Sequence, residues 1–173
     1  MTLVEAALVL SLTGVLLAAF VPTFLAHVRT SKLAEATERL AQLHERAAAY
    51  YAGEHVGPDG TPQQRCLPES TAPFPETPSS DPVEVDFLTA PHGAETFRAL
   101  GLTTPLLVRY SYEVAVAEPG CHARGPGTAL TLRARGDLDG DDEPSLLERS
   151  AAPSADGRAL VPVGPLRIQA RTE

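Results

Sequence analysis

The sequence is short of positive charge. Its 14 lysines and arginines stand against 22 aspartates and glutamates, a formal net charge of −8. That balance excludes a nucleic-acid surface as the main role and leaves room only for a local basic patch. Catalytic patterns are missing as well: there is no CxxC pair, no glycine-rich phosphate loop and no Ser/His/Asp grouping. The five histidines (His27, His44, His55, His92, His122) are scattered without ligand spacing, so an enzyme is not expected. There are no internal repeats, and there are only two cysteines, Cys66 and Cys121.

What the chain does have is a long apolar run. From Ala6 to Val28 it is interrupted only by Ser11, Thr13, Gly14, Pro22, Thr23 and His27, a length that crosses a bilayer as a helix. A cleaved signal peptide fits poorly, because Glu5 rather than a basic stretch precedes the run and the pattern continues straight into an amphipathic helix. In that continuation Leu33, Ala36, Leu40, Leu43, Ala47 and Tyr50 recur at three- and four-residue steps and form one apolar stripe. The two halves together predict a helix of about 52 residues, roughly 78 Å long at 1.5 Å per residue, ending near Gly53.

Charge is balanced over residues 1–52, so the whole −8 falls on residues 53–173. Prolines and glycines crowd Gly57 to Pro82 and predict a long irregular surface loop. A short helix is expected at Ala94–Gly101. Alternation then predicts three strands. Val108, Tyr110, Tyr112, Val114 and Val116 share the face of the first, Leu130, Leu132 and Ala134 that of the second, and Leu166, Ile168 and Ala170 that of the third. The expected fold is therefore α+β: a long N-terminal helix whose stripe covers the apolar face of a C-terminal antiparallel sheet. Residues 1–28 form a membrane or filament-core segment, 29–52 the amphipathic half of the same helix, and 53–173 a globular head. With a membrane-length segment at its start, the chain reads as exported. Cys66 and Cys121 are then expected to form a disulfide, worth about 4 kcal/mol by loop closure, two buried thiols being the alternative.

Glu5 needs an explanation, since a carboxylate in hydrocarbon costs about 3 kcal/mol or more. It either marks the membrane surface or pairs with an amine inside an apolar assembly. Met1, Thr2, Leu3, Val4 and Glu5, followed by the apolar run with Gly14 and Pro22, resemble the mature N-terminal segment of type IV pilins and pseudopilins, although that family more often begins with phenylalanine. The resemblance covers about the first 30 residues. It implies that a prepilin peptidase exposes Met1, that the Met1 amine is N-methylated, and that Glu5 neutralises the Met1 amine of an adjacent subunit during assembly. By the same resemblance the stretch between Gly14 and Pro22 unwinds in the filament. Physics alone asks of Pro22 only a kink or a local opening, and Gly14 weakens the stretch by about 1 kcal/mol relative to alanine.

A second constellation follows the second strand. Counting Asp137 as position one, Asp139, Asp141, Ser145 and Glu148 fall at positions three, five, nine and twelve, with Glu143 supplying a backbone carbonyl at seven. This is the ligand spacing of an EF-hand calcium loop. Asp142 stands where such a loop has glycine, and a strand precedes it where an EF-hand has a helix. Type II secretion pseudopilins bind calcium in their C-terminal part, so the resemblance also admits a Ca2+ ion. A solvated acidic turn is the alternative.

These observations predict a structural subunit that waits in the inner membrane and polymerises with copies of itself into an extracellular type IV pilus-like filament. The resemblance implies the pilus assembly machinery and the prepilin peptidase as partners. A minor pilin or a secretion pseudopilin fits the same features. A membrane-anchored, calcium-dependent binding domain that never polymerises is the reading from a different class.

Overall fold

The structure, a computed structural model, describes residues 3–122, 127–138 and 143–169. Helix α1 spans Leu3–Ala52. It ends where Gly53 donates its N–H back to the carbonyls of Ala49 (2.9 Å) and Tyr50 (3.2 Å). The helix is continuous through Gly14 and Pro22, so the local opening expected at Pro22 is absent from the single chain. A proline removes one backbone bond, which an otherwise strong helix can carry without unwinding. The chain divides into two units, residues 1–34 and residues 35–173.

In the second unit the strands are β1 (His55–Val56), β2 (Pro62–Gln63), β3 (Cys66–Leu67), β4 (Val83–Val85), β5 (Leu106–Val108), β6 (Ser111–Val116), β7 (Gly120–Cys121), β8 (Leu130–Gly136), β9 (Ser145–Pro153) and β10 (Leu160–Gln169). A 3-10 turn at Phe87–Thr89 and helix α2 at Ala94–Ala99 lie between β4 and β5. The main sheet has the order β10-β9-β8-β6 and is antiparallel throughout, while β1–β2, β3–β7 and β4–β5 are small separate pairs.

Two departures from the expected strands have physical causes. The segment expected to run unbroken from Val108 to Val116 is divided, because the backbone N–H of Arg109 donates to the Glu35 carboxylate at 2.9 Å and β5 turns aside to pair with β4. Strand β9 is the second departure, since the sequence alone places these residues at the end of an acidic loop and after it. It pairs with both β8 and β10, and Ser145, Leu147 and Ala151 bury one face of it.

The core joins two faces. From α1 come Ala36, Leu40, Leu43, Ala47 and Tyr51, each at most 1% exposed. From the sheet come Tyr112, Val114, Leu130, Leu132, Ala134, Leu147 and Ala151, all buried. Each large side chain so buried contributes about 1.5–3 kcal/mol. The stripe ends on Tyr51, not on Tyr50. The Tyr51 hydroxyl donates to the carbonyl of Gly157 at 3.1 Å, whereas Tyr50 stays half-buried with its ring 4.2 Å from that of His55. A second cluster builds on Phe87, with Phe97, Phe74 and Tyr112 around it at centroid distances of 5.0, 5.9 and 6.2 Å.

The proline-rich segment is irregular, as expected, yet it has a structural task. Thr71 N–H donates to Val114 O at 2.8 Å, and Phe74 and Tyr112 exchange backbone bonds of 3.0 and 2.9 Å. The segment thereby covers the outer edge of β6, which would otherwise present unpaired backbone groups.

Candidate functional site in the exposed apolar helix

Within the first unit, Val4–Val21 has a mean hydropathy of 2.2 and none of it is buried. Eleven large apolar side chains from Val4 to Phe24 are 48 to 73% exposed. They include consecutive residues, Leu8, Val9 and Leu10, then Val15, Leu16 and Leu17, so the apolar surface runs around the whole circumference of the helix instead of forming a stripe. A helix of that kind in water demands a cover of lipid or of other apolar helices. Covering these eleven side chains is worth on the order of 10 kcal/mol or more, comparable with the whole stability of a small domain. The segment is long and apolar enough to cross a membrane.

Polar features of this surface are few. Glu5 lies exposed in the first turn of α1, where a carboxylate favours the positive end of the helix dipole. Beyond the adjacent backbone of α1 itself, no atom of the described residues comes within 4 Å of the position a side chain would take at Gly14, so the helix surface is open there. Met1 lies outside the described residues, and nothing is described of the Pro22 side chain. No family model, no curated protein and no solved structure matches the chain.

Cys66 and Cys121 are joined by a disulfide and face one another in the β3–β7 pair. Together with the apolar segment, this bond suits an oxidising compartment.

The acidic loop lies between β8 and β9, and the structure places its proposed ligands unevenly. Asp137 directly follows β8 and Glu143 precedes β9, while Asp139 and Asp141 lie outside the described residues. Ser145 is buried, stands opposite Gly136 and donates its hydroxyl to the Gly136 carbonyl at 3.0 Å. Glu148 lies three residues farther along β9, about 10 Å at strand rise. There it accepts from Arg133 Nε at 2.7 Å. In an EF-hand a following helix brings the twelfth residue back to the ion; here a strand carries Glu148 onto the sheet.

Glu148 belongs to a charged row across the sheet that was not visible from composition or spacing. Glu113 of β6, Arg133 of β8, Glu148 of β9 and Arg167 of β10 stand in direct register. Arg133 bridges both acids, reaching Glu113 at 3.1 Å, and Arg135 also reaches Glu113 at 3.2 Å. The hydrogen bond that Arg133 donates to Glu148 raises the Arg133 pKa, with Glu113 adding to it against partial burial.

The histidines are dispersed. His44 is half-buried on α1, His55 lies 2.7 Å from the Tyr50 carbonyl, and His122 pairs with Glu118 at 3.2 Å. Among the described residues, no three His, Cys, Asp or Glu side chains group as a metal site.

Proposed function

We propose that this chain is a structural subunit that is held in a membrane by the first part of α1 and polymerises through the same surface into a type IV pilus-like extracellular filament. The observation that carries this reading is the all-round exposure of the apolar side chains from Val4 to Phe24, joined to a charged head with its own buried core. Moving such a helix from lipid into a bundle of identical helices keeps its apolar surface covered at both stages, so little hydrophobic free energy separates the two. Packing and charge pairing then decide the direction. Glu5 supports assembly over simple anchoring, because a carboxylate is a cost to a pure anchor and an advantage where a neighbour brings an amine. The resemblance of residues 1–30 to type IV pilins supplies that amine as Met1 of an adjacent subunit. It also supplies the prepilin peptidase and the assembly machinery as partners. A minor pilin or secretion pseudopilin uses the same chemistry.

The competing reading is a membrane-anchored domain that does not polymerise, which the length and hydropathy of Val4–Val21 equally serve. Electron microscopy of material sheared from the producing cells, with immunogold labelling of the head, separates them. Labelled filaments support the subunit. A chain found only in the membrane fraction, with no labelled polymer, overturns it.

A further inference from the structure

One residue at the end of α1 fixes two turns. Tyr51 is buried; its backbone carbonyl accepts from the Arg65 N–H at 3.0 Å, and its hydroxyl donates to the carbonyl of Gly157 at 3.1 Å. Arg65 directly precedes Cys66, whose disulfide to Cys121 holds that turn from the other side. The turn at Gly157 is locked by its own bonds. The Ser154 hydroxyl donates to Asp156 Oδ1 at 2.6 Å, the same oxygen accepts from the Arg158 N–H at 3.1 Å, and the Gly157 N–H donates to the Ser154 carbonyl at 2.8 Å.

Where the two turns meet there is a cavity of about 250 Å3, lined by Tyr51, Ala52, Gln64, Arg65 and Arg158. Arg65 Nη1 lies 3.7 Å from the point a Cβ would occupy at Gly157, so its guanidinium reaches the residue next to Arg158. Two cations thus line one small space, both are exposed to solutes, and no lining residue is a carboxylate. Asp156 stands 4.0 Å from Arg158 Nε with both side chains exposed, and one of its oxygens is committed to the turn. Arg65 is also the one non-glycine residue with positive φ, +62, among the described residues. Glycine or asparagine takes that conformation at lower cost, so the backbone carries a guanidinium to the cavity at its own expense. Strain of this kind concentrates at ligand sites, where the surrounding structure holds it in place.

Two like charges facing one space repel, and an anion between them turns the repulsion into attraction. A single carboxylate matches one guanidinium fork. A phosphate group offers several acceptor oxygens and a larger negative charge, so it can accept from both walls at once, with the Gln64 amide as a neutral donor. We infer that the cavity between Arg65 and Arg158 binds a phosphate group, carried by the free ion or by a small phosphate monoester. Residues 53–173 carry the entire −8, so the head as a whole repels anions and saturable binding reports a local site. The assignment does not depend on filament formation.

The test is calorimetric titration of the full chain in detergent micelles with sodium phosphate and, separately, with glycerol phosphate, each against sodium chloride at equal ionic strength. The expected result is saturable phosphate binding, absent with chloride, that Arg158→Gln weakens about tenfold or more, the size of one charge-assisted hydrogen bond. Arg158→Lys, which keeps the charge but lacks the fork, should weaken it less. Arg65→Gly removes the other guanidinium while giving the backbone the residue that suits φ +62. Binding should fall comparably in that variant, with a melting temperature in the absence of phosphate equal to or above that of the wild type. Whichever of the two phosphates binds more tightly names the source, the free ion or an organic ester. Binding of neither phosphate overturns the site. So does binding that survives both Arg158→Gln and Arg65→Gly, which would assign these arginines to the end of α1 and to solvent. An equal loss in Arg98→Gln, whose arginine lies on α2 outside the cavity, would likewise overturn it.

Discussion

Glu35 and Arg109 are joined twice, the carboxylate accepting at 2.9 Å from the Arg109 backbone N–H and at 2.9 Å from its guanidinium. One residue thus ties α1 to the point where β5 and β6 separate. The Tyr112 hydroxyl lies close by, and burial, with Glu35 adding and Arg39 opposing, pushes the phenol well above its ordinary range. Glu35→Ala is expected to destabilise the head by about 1–3 kcal/mol, because it leaves a part-buried N–H and a guanidinium without their acceptor. Glu35→Gln, which retains an acceptor, should lose less. Denaturant unfolding of the full chain in detergent measures both, and equal stability of all three proteins would show that the tie is spent on solvent.

Arg133 supplies a separate test, of the acidic loop. Glu148→Ala removes its 2.7 Å partner and should cost about 1–2 kcal/mol, since both side chains are largely covered. If Glu148 acts through Arg133 and not through an ion, that cost is the same in chelator and in millimolar calcium. A calcium-induced rise in melting temperature that disappears in Glu148→Ala would instead place Glu148 among the ligands, as ligand linkage requires.

The disulfide closes a loop of 55 residues in sequence separation, worth about 4 kcal/mol in the chain-entropy picture. Cys66→Ser should lower stability by about 2–4 kcal/mol relative to the oxidised protein, with little effect once the wild type is reduced. Mass spectrometry of the chain from its producing cells, under non-reducing conditions, should find no free thiol.

His44 is expected to make the head sensitive to acid. Its folded pKa is depressed by burial and by Arg149, so the unfolded chain binds a proton more readily than the folded one. Above the ordinary value of about 6.5 both states are neutral and stability is unaffected. As pH falls below about 6.5 the unfolded state gains the proton first, and stability is lost progressively down to the folded pKa. His44→Gln should flatten this part of the stability curve between pH 7 and pH 5. An unchanged slope would assign the acid sensitivity to other groups.

The fold was legible where one residue's neighbours decide its place. Ala36, Leu40, Leu43 and Ala47 announce a buried stripe by spacing, and Leu130, Leu132 and Ala134 announce a strand by alternation; all seven are buried. Tyr51 displaced Tyr50 at the end of the stripe because its hydroxyl finds the Gly157 carbonyl, 106 residues away, and no local pattern carries that. The division of the strand at Arg109 depends likewise on Glu35, 74 residues distant. Strand β9 had a signal in Ser145, Leu147 and Ala151, but the run of acids before it and the pairing of charges within it masked the alternation. The apolar segment was legible because hydrophobicity is itself the property it uses. The commitment of Glu148 to Arg133 was not, since spacing along the chain says nothing about which strand lies alongside.

Glu5 offers the sharpest test of the proposed function, because anchoring and assembly predict opposite consequences of removing its charge. In lipid, a carboxylate near the start of a spanning segment costs about 3 kcal/mol unless it is compensated, so Glu5→Ala should hold the chain in the membrane at least as firmly as the wild type. In a filament the same carboxylate would meet an amine of the next subunit in an apolar setting, where losing one partner leaves the other charge buried and costs about 3–5 kcal/mol. Filament yield from Glu5→Ala should therefore fall by more than tenfold while membrane content is maintained. Glu5→Gln keeps the size and hydrogen-bonding capacity of the side chain but not its charge, and it should fall nearly as far. Quantitative immunoblots of the membrane and sheared fractions measure both quantities from one culture. Wild-type yield in both variants would remove the charge pair from the mechanism, and a parallel loss from membrane and filament would mark Glu5 as a residue of folding or insertion rather than of assembly.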